Sequence, residues 1–283
     1  MYDDTGSGFD TDGVIPCSTG MYDDTGSSFD TDEVIPCSTG MYDDTGSGSW
    51  RMEIMVTAPA QPIPFPDHAC EFLLPGPAGA IEAAVGIPEA KDARAGIAII
   101  CHPHPLLGGG GTMRNKVVTM LERALRELGL TTLRFNFRGV GASQGSFDEG
   151  VGETADLLAL AGWVQQTRPS DALWLAGFSF GSYVAARAAP QLPVRQMISV
   201  APPVGRYDFA TLASPLCPWL VIMGEADEVV DPEAVYAWVA AQPEPPALLR
   251  MPDTGHFFHR RLMDLRGAIK NGVRKNLPPP FPA

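Results

Sequence analysis

The chain has 283 residues, 45% of them apolar and 19% charged, which is enough to bury one or two cores. Its 33 acidic and 20 basic residues give a net charge of −13, which argues against a nucleic-acid binder and against a protein held on anionic membranes. No apolar run approaches the ~18 residues that span a bilayer, the acidic first residues form neither a secretory nor a transit signal, and five cysteines without a Cys-x-x-Cys pair suggest neither a disulfide framework nor a structural zinc site.

The expectation is therefore a soluble cytoplasmic protein that uses no metal or organic cofactor. Residues 1–20 and 21–40 are near-identical copies that differ only at Ser28 and Glu33, and a third copy begins at Met41 and stops after Gly48. Two and a fraction copies, rich in Asp, Gly, Ser and Thr, offer too little apolar surface to offset the entropy of ordering, so a solenoid is rejected. Residues 1–50 hold eleven of the acids and no Lys or Arg, so the acidity belongs to this segment and the rest is near neutral. The reading is a disordered acidic repeat tail over 1–50, with an acidic interaction arm as the alternative. A folded domain over 51–283 follows, with Met52 a candidate start of a shorter protein.

From residue 70 short apolar runs alternate with amphipathic stretches. Cys70–Leu74 and Ala80–Ile87 read as strands around a Pro-Gly-Pro turn. Gly96–Cys101 is continuously apolar, as a strand covered on both faces should be. Val117, Leu121, Ala124, Leu125 and Leu128 recur at helical spacing, and Gly129 ends the run. Thr131–Phe137 reads as a strand, Glu153–Gln166 as a helix, Ala172–Phe178 as a strand and Ser179–Ala189 as a helix stopped by Pro190. Gln196–Ala201, Trp219–Met223 and Ala247–Met251 read as strands, with helices near 232–241 and 257–274. This alternation calls for an α/β fold whose mostly parallel sheet carries helices on both faces and whose chemistry lies beyond the carboxyl ends of the strands.

Two segments match G-x-S-x-G, Gly141–Gly145 and Gly177–Gly181. Such a serine needs an apolar strand running in and a helix running out, because the turn between them is sharp. Ser179 has both, between ALWLAGF and GSYVAARAA, whereas Ser143 sits among loop residues. Ser179 is the expected nucleophile. A serine hydroxyl needs a base and a group that orients the base. Only His256 and His259 follow Ser179; His256, just beyond the strand ALLRM, is the expected base, and His259 falls inside the last helix. The loop after WLVIM crowds Glu225, Asp227, Glu228 and Asp231. Asp227 is the expected acid. Asp231 is its competitor but reads as a helix cap before Pro232, and the two glutamates read as solvated. For the oxyanion, Phe180 N–H is one expected donor. The other is His104, with Leu106 the alternative, because Pro103 and Pro105 have no N–H. Leu106, Gly108 and Phe178 flank these groups and are expected to touch substrate.

Together, His102–Pro105 with Gly108–Gly111, Phe137–Ser143, Gly177–Gly181, Gly224–Asp227 and Gly255–His256 resemble the α/β-hydrolase superfamily. The likeness is strongest to its small bacterial members with an HPHP turn and a GFSFG nucleophile elbow, and it covers about residues 70–275. The resemblance implies an eight-stranded sheet and a Ser179–Asp227–His256 triad. Only Pro202–Pro218 separates the sixth strand from the seventh, too short for a cap domain, so an open site is expected, which favours hydrolysis over acyl transfer. The leading reading is a serine hydrolase for esters or thioesters of small molecules. A peptidase or amidase of the same fold and a catalytically silent binding module are the alternatives.

Overall fold

The computed structural model describes residues 63–106 and 110–281. The acidic repeat, the boundary expected at residue 50 and Met52 lie outside the described residues, as do Leu107, Gly108 and Gly109.

Eight strands form one sheet: β1 (Cys70–Gly76), β2 (Gly79–Gly86), β3 (Gly96–Cys101), β4 (Thr131–Phe135), β5 (Ala172–Phe178), β6 (Val194–Val200), β7 (Trp219–Gly224) and β8 (Ala247–Met251). Their order is β1-β2-β4-β3-β5-β6-β7-β8; β1 and β2 are antiparallel, β2 meets β4 antiparallel, and the remaining pairs are parallel. Every residue of β3 is buried, as is β5 after its first residue, which is why these two strands read as unbroken apolar runs.

The principal helices are α1 (Lys116–Arg126), α2 (Val151–Thr167), α3 (Phe180–Ala188), α4 (Pro232–Ala240) and α5 (Leu262–Val273). The chain leaves β3 for β4 in one direction along the sheet and β5 for β6 in the other. Right-handed crossovers therefore place α1 and α3 on opposite faces, α1 packing with α5 and α3 with α2. A reversal of this kind leaves room for a crevice at the strands' carboxyl ends. No helix among the described residues is long and apolar enough to cross a membrane.

The helix expected over 257–274 begins later, at Leu262. Phe258 and Arg260 have φ of 53° and 59°, outside the helical region, and Phe258 N–H and Arg261 N–H close turns on Gly255 O and Phe258 O. Burial of the Phe258 ring holds the first of these turns in place. His259 therefore sits in a turn before α5.

The second G-x-S-x-G match is a structural loop. Ser143 is buried; its Oγ accepts Glu82 N–H (2.9 Å) and donates to Asn136 O (2.7 Å). Nearby Arg138 clasps Asp156 with two hydrogen bonds, 2.9 and 2.7 Å, tying this loop to α2.

Candidate active site

Ser179 follows β5 directly and has φ 52°, ψ −122°, a conformation that non-glycine residues avoid and that turns its side chain off the sheet. The backbone is held there by Ser179 N–H to Val200 O (2.8 Å) and Ser182 Oγ to Ser179 O (2.6 Å). The two flanking glycines make the turn possible. A Cβ on Gly177 would stand 2.3 Å from Gly181 C, and one on Gly181 would stand 2.4 Å from Cys101 O and 2.5 Å from His102 O.

Three strand ends then converge. His256, after β8, places Nε2 3.1 Å from Ser179 Oγ, and its Nδ1 lies 2.8 Å from Asp227 Oδ2, after β7. Asp227 Oδ1 accepts Val229 N–H and Val230 N–H, each at 2.8 Å. The carboxylate side chain is wholly shielded from solvent yet satisfied by three donors, which is the condition for keeping a buried charge. With Nδ1–H donating to Asp227, Nε2 is left as the acceptor for the serine hydroxyl. Asp231 is elsewhere: its Oδ1 caps α4 by accepting Glu233 N–H (3.0 Å). Glu228 is exposed, as read from the sequence, and also accepts His256 N–H at 3.1 Å, which fixes the histidine's backbone. The imidazole is packed between Phe178 and Phe257, each ring centroid 5.1 Å away.

Opposite lies the turn after β3. Leu106 N–H donates to His104 Nδ1 (3.1 Å) and is thereby engaged, whereas His104 N–H and Phe180 N–H have no acceptor among the described residues. His104 packs on Phe147 and Phe180, with centroids 4.6 and 5.4 Å apart.

His102, two residues earlier, is fully buried. Its Nε2 accepts Phe137 N–H (3.0 Å) and its Nδ1 donates to Pro103 O (2.6 Å), a tautomer dictated by its partners. This ring clamps the turn after β3 to the loop after β4. Burial pulls its pKa down to about 4. Below the ordinary histidine value the unfolded chain takes up a proton that the folded chain refuses. Stability therefore falls as pH drops from about 6.5 to about 4, by about 3 kcal/mol from this group. Thermal melting across that range should show a shallower acid-side loss for His102→Gln than for the wild type; parallel curves would mean that protonation of His102 is not linked to unfolding.

Ser179, His256, His104 and Phe180 line an open cleft of about 510 Å³. The segment between β6 and β7 forms one wall through Pro203, Val204, Arg206 and Tyr207; Val229, Val230, Asp231 and Ala234 form another. The structure places the expected substrate contacts differently. Phe178 is fully buried beneath His256 because the sharp turn sends Ser179, not its neighbour, into the cleft. Leu106 is largely exposed and does not line the cleft, and Gly108 lies outside the described residues. Glu228's bond to His256 and the wall at 203–207 have no periodicity or motif to mark them, and His102 is marked only as the first residue of the HPHP turn, without its clamping role. Burial pushes the Cys217 thiol up to about 11 and the Cys101 thiol higher still, so neither supplies a thiolate near neutral pH.

A family model described as the alpha/beta hydrolase fold matches residues 105–215. An uncharacterised protein of Rickettsia prowazekii is 40% identical over 165 residues, 56% of this chain and 68% of its own length. A solved structure from Xanthomonas campestris, described as an a/b serine hydrolase without lid, superposes with a TM-score of 0.74 at 55% identity, covering 76% of this chain and 98% of that one. An alpha-beta serine hydrolase homologue from Coxiella burnetii gives 0.71 at 47% identity, covering 74% of this chain and 99% of that one.

Proposed function

This chain belongs to the α/β-hydrolase superfamily, and we propose that it is a serine hydrolase cleaving carboxylic esters or thioesters of small molecules. The observation that carries the reading is the hydrogen-bonded series Ser179 Oγ, His256 Nε2, His256 Nδ1 and Asp227 Oδ2 opening on a solvent-accessible cleft. His256 Nε2 takes the hydroxyl proton as Ser179 Oγ bonds to the substrate carbonyl carbon. The carbonyl electron pair moves onto oxygen, where the N–H groups of Phe180 and His104 hold it. Asp227 stabilises the imidazolium, which returns its proton to the departing alkoxide or thiolate as the carbon–heteroatom bond breaks. Water, deprotonated by the same histidine, then attacks the acyl-serine; the acid leaves and Ser179 regains its proton. The short β6–β7 segment leaves the cleft open to that water.

The test is reaction with a fluorophosphonate, the modified residue located by peptide mass spectrometry, followed by turnover of matched butyryl ester, thioester and amide. Labelling at Ser179 with ester and thioester hydrolysed faster than amide is expected. A protein that resists the reagent, or is modified elsewhere, loses this reading, and faster amide cleavage makes it an amidase.

A further inference from the structure

Arg206 is the sole Lys or Arg among the described residues that line the cleft, and it forms no ion pair with any of them. Its backbone is pinned: Arg206 N–H and Tyr207 N–H both reach Pro203 O (3.2 Å each), Val204 bridges Tyr207, and the Tyr207 ring stacks on Tyr183 at 4.7 Å. An exposed guanidinium is thus carried at the cleft by an anchored turn. We propose that Arg206 is a carboxylate subsite of this cleft, so that the enzyme selects esters bearing a carboxylate in addition to the scissile carbonyl. The inference rests on the hydrolase reading above and names its substrate class.

Three of the acids around the cleft are committed to other partners. Asp227 is buried on His256, Asp231 caps α4 with the helix's positive end against it, and Glu228 holds His256 N–H. Glu149 acts electrostatically on His104 and Tyr207 in the sense opposite to Arg206 but makes no ion pair with it. Arg206's field reaches the oxyanion wall: after burial, its charge is the next cause holding the His104 imidazole below its ordinary pKa. Pro203, Val204 and Tyr207 beside it are apolar or aromatic, so water competes less for the guanidinium than on an open surface. A planar guanidinium also matches a carboxylate through two parallel hydrogen bonds.

Two substrate pairs test this, each comparing kcat/KM of an anionic ester with a neutral counterpart. The acyl-side pair is p-nitrophenyl hydrogen glutarate and p-nitrophenyl pentanoate; the alcohol-side pair is 4-(butanoyloxy)benzoate and its methyl ester. In one of the pairs the anionic-to-neutral ratio should be about tenfold higher in wild type than in Arg206→Gln, lower again in Arg206→Glu, and eroded by salt in wild type alone. The pair that responds identifies which side carries the carboxylate. Ratios equal in wild type and Arg206→Gln for both pairs, in proteins that react with fluorophosphonate at Ser179, overturn the subsite and leave the hydrolase reading standing. Failure of the wild type to react at Ser179 overturns both.

Discussion

Ser179→Ala should lower kcat on any ester the wild type hydrolyses by about 10⁵-fold, with the melting temperature almost unchanged. The two effects separate because the serine's structural duties are performed by its backbone. Its N–H is held by Val200 O and its carbonyl by Ser182 Oγ, and an alanine keeps both bonds. The unfavourable φ of 52° is the same for alanine, so no strain is added. Only Oγ is lost, and its hydrogen bond to His256 Nε2 is replaced by cleft water. Ser143→Ala is the contrasting case. That hydroxyl holds Glu82 N–H and Asn136 O, so its loss should cost about 1–3 kcal/mol of stability and leave turnover in place. More than about 1% residual turnover in Ser179→Ala, or a collapse of turnover in Ser143→Ala at a temperature where it is folded, would reverse the assignment.

Asp227→Asn should lower kcat by about 10⁴-fold through the histidine's tautomer. In the wild type one carboxylate oxygen accepts two N–H groups, from Val229 and Val230, and the other faces His256 Nδ1. An asparagine has a single acceptor oxygen. The two backbone donors claim it, and the NH₂ group then faces Nδ1. That makes Nδ1 an acceptor, moves the ring proton to Nε2, and leaves nothing to receive the serine's proton. The fold should persist because every backbone donor still has its partner. Asp231→Asn should keep kcat within tenfold, since asparagine caps a helix about as well as aspartate. Steady-state kinetics of both variants on one ester decide the matter; equal losses would mean that Asp227 is not the orienting acid.

The strands were legible because burial on both faces of a parallel sheet leaves uninterrupted runs such as GIAIIC and ALWLAGF, which no surface segment imitates. The order of Ser179, Asp227 and His256 was legible for a related reason: each comes within four or five residues of a strand's carboxyl end, and parallel strands deliver those ends to one edge. What the sequence concealed depends on contacts between distant segments. Glu228 reaches 28 residues along the chain to His256 N–H, and nothing local distinguishes it from Glu225, which is exposed too and pairs with Arg250. The first turns after His256 look helical in composition, yet burial of Phe258 imposes positive φ where the helix was expected. Phe178 and Phe180 flank the serine and both rings are buried, but Phe178 packs under the imidazole whereas Phe180 packs on His104 and Tyr207 beside the cleft.

The near-contact of Gly181 with the carbonyl oxygens of Cys101 and His102 bears on how such a protein changes over generations. The Ser179 turn and the turn carrying His104 abut backbone to backbone, so neither tolerates a shift without disturbing the other, and drift in either one is penalised at the level of folding. The wall at 203–207 belongs to an irregular connection between β6 and β7 and meets the Ser179 turn through side chains, the Tyr207 ring packing on Phe180 and Tyr183. Substitutions and small insertions in that connection would therefore reshape the cleft while leaving the two turns in place. On the proposed activity, selectivity would be the quickly changing trait and chemistry the slow one.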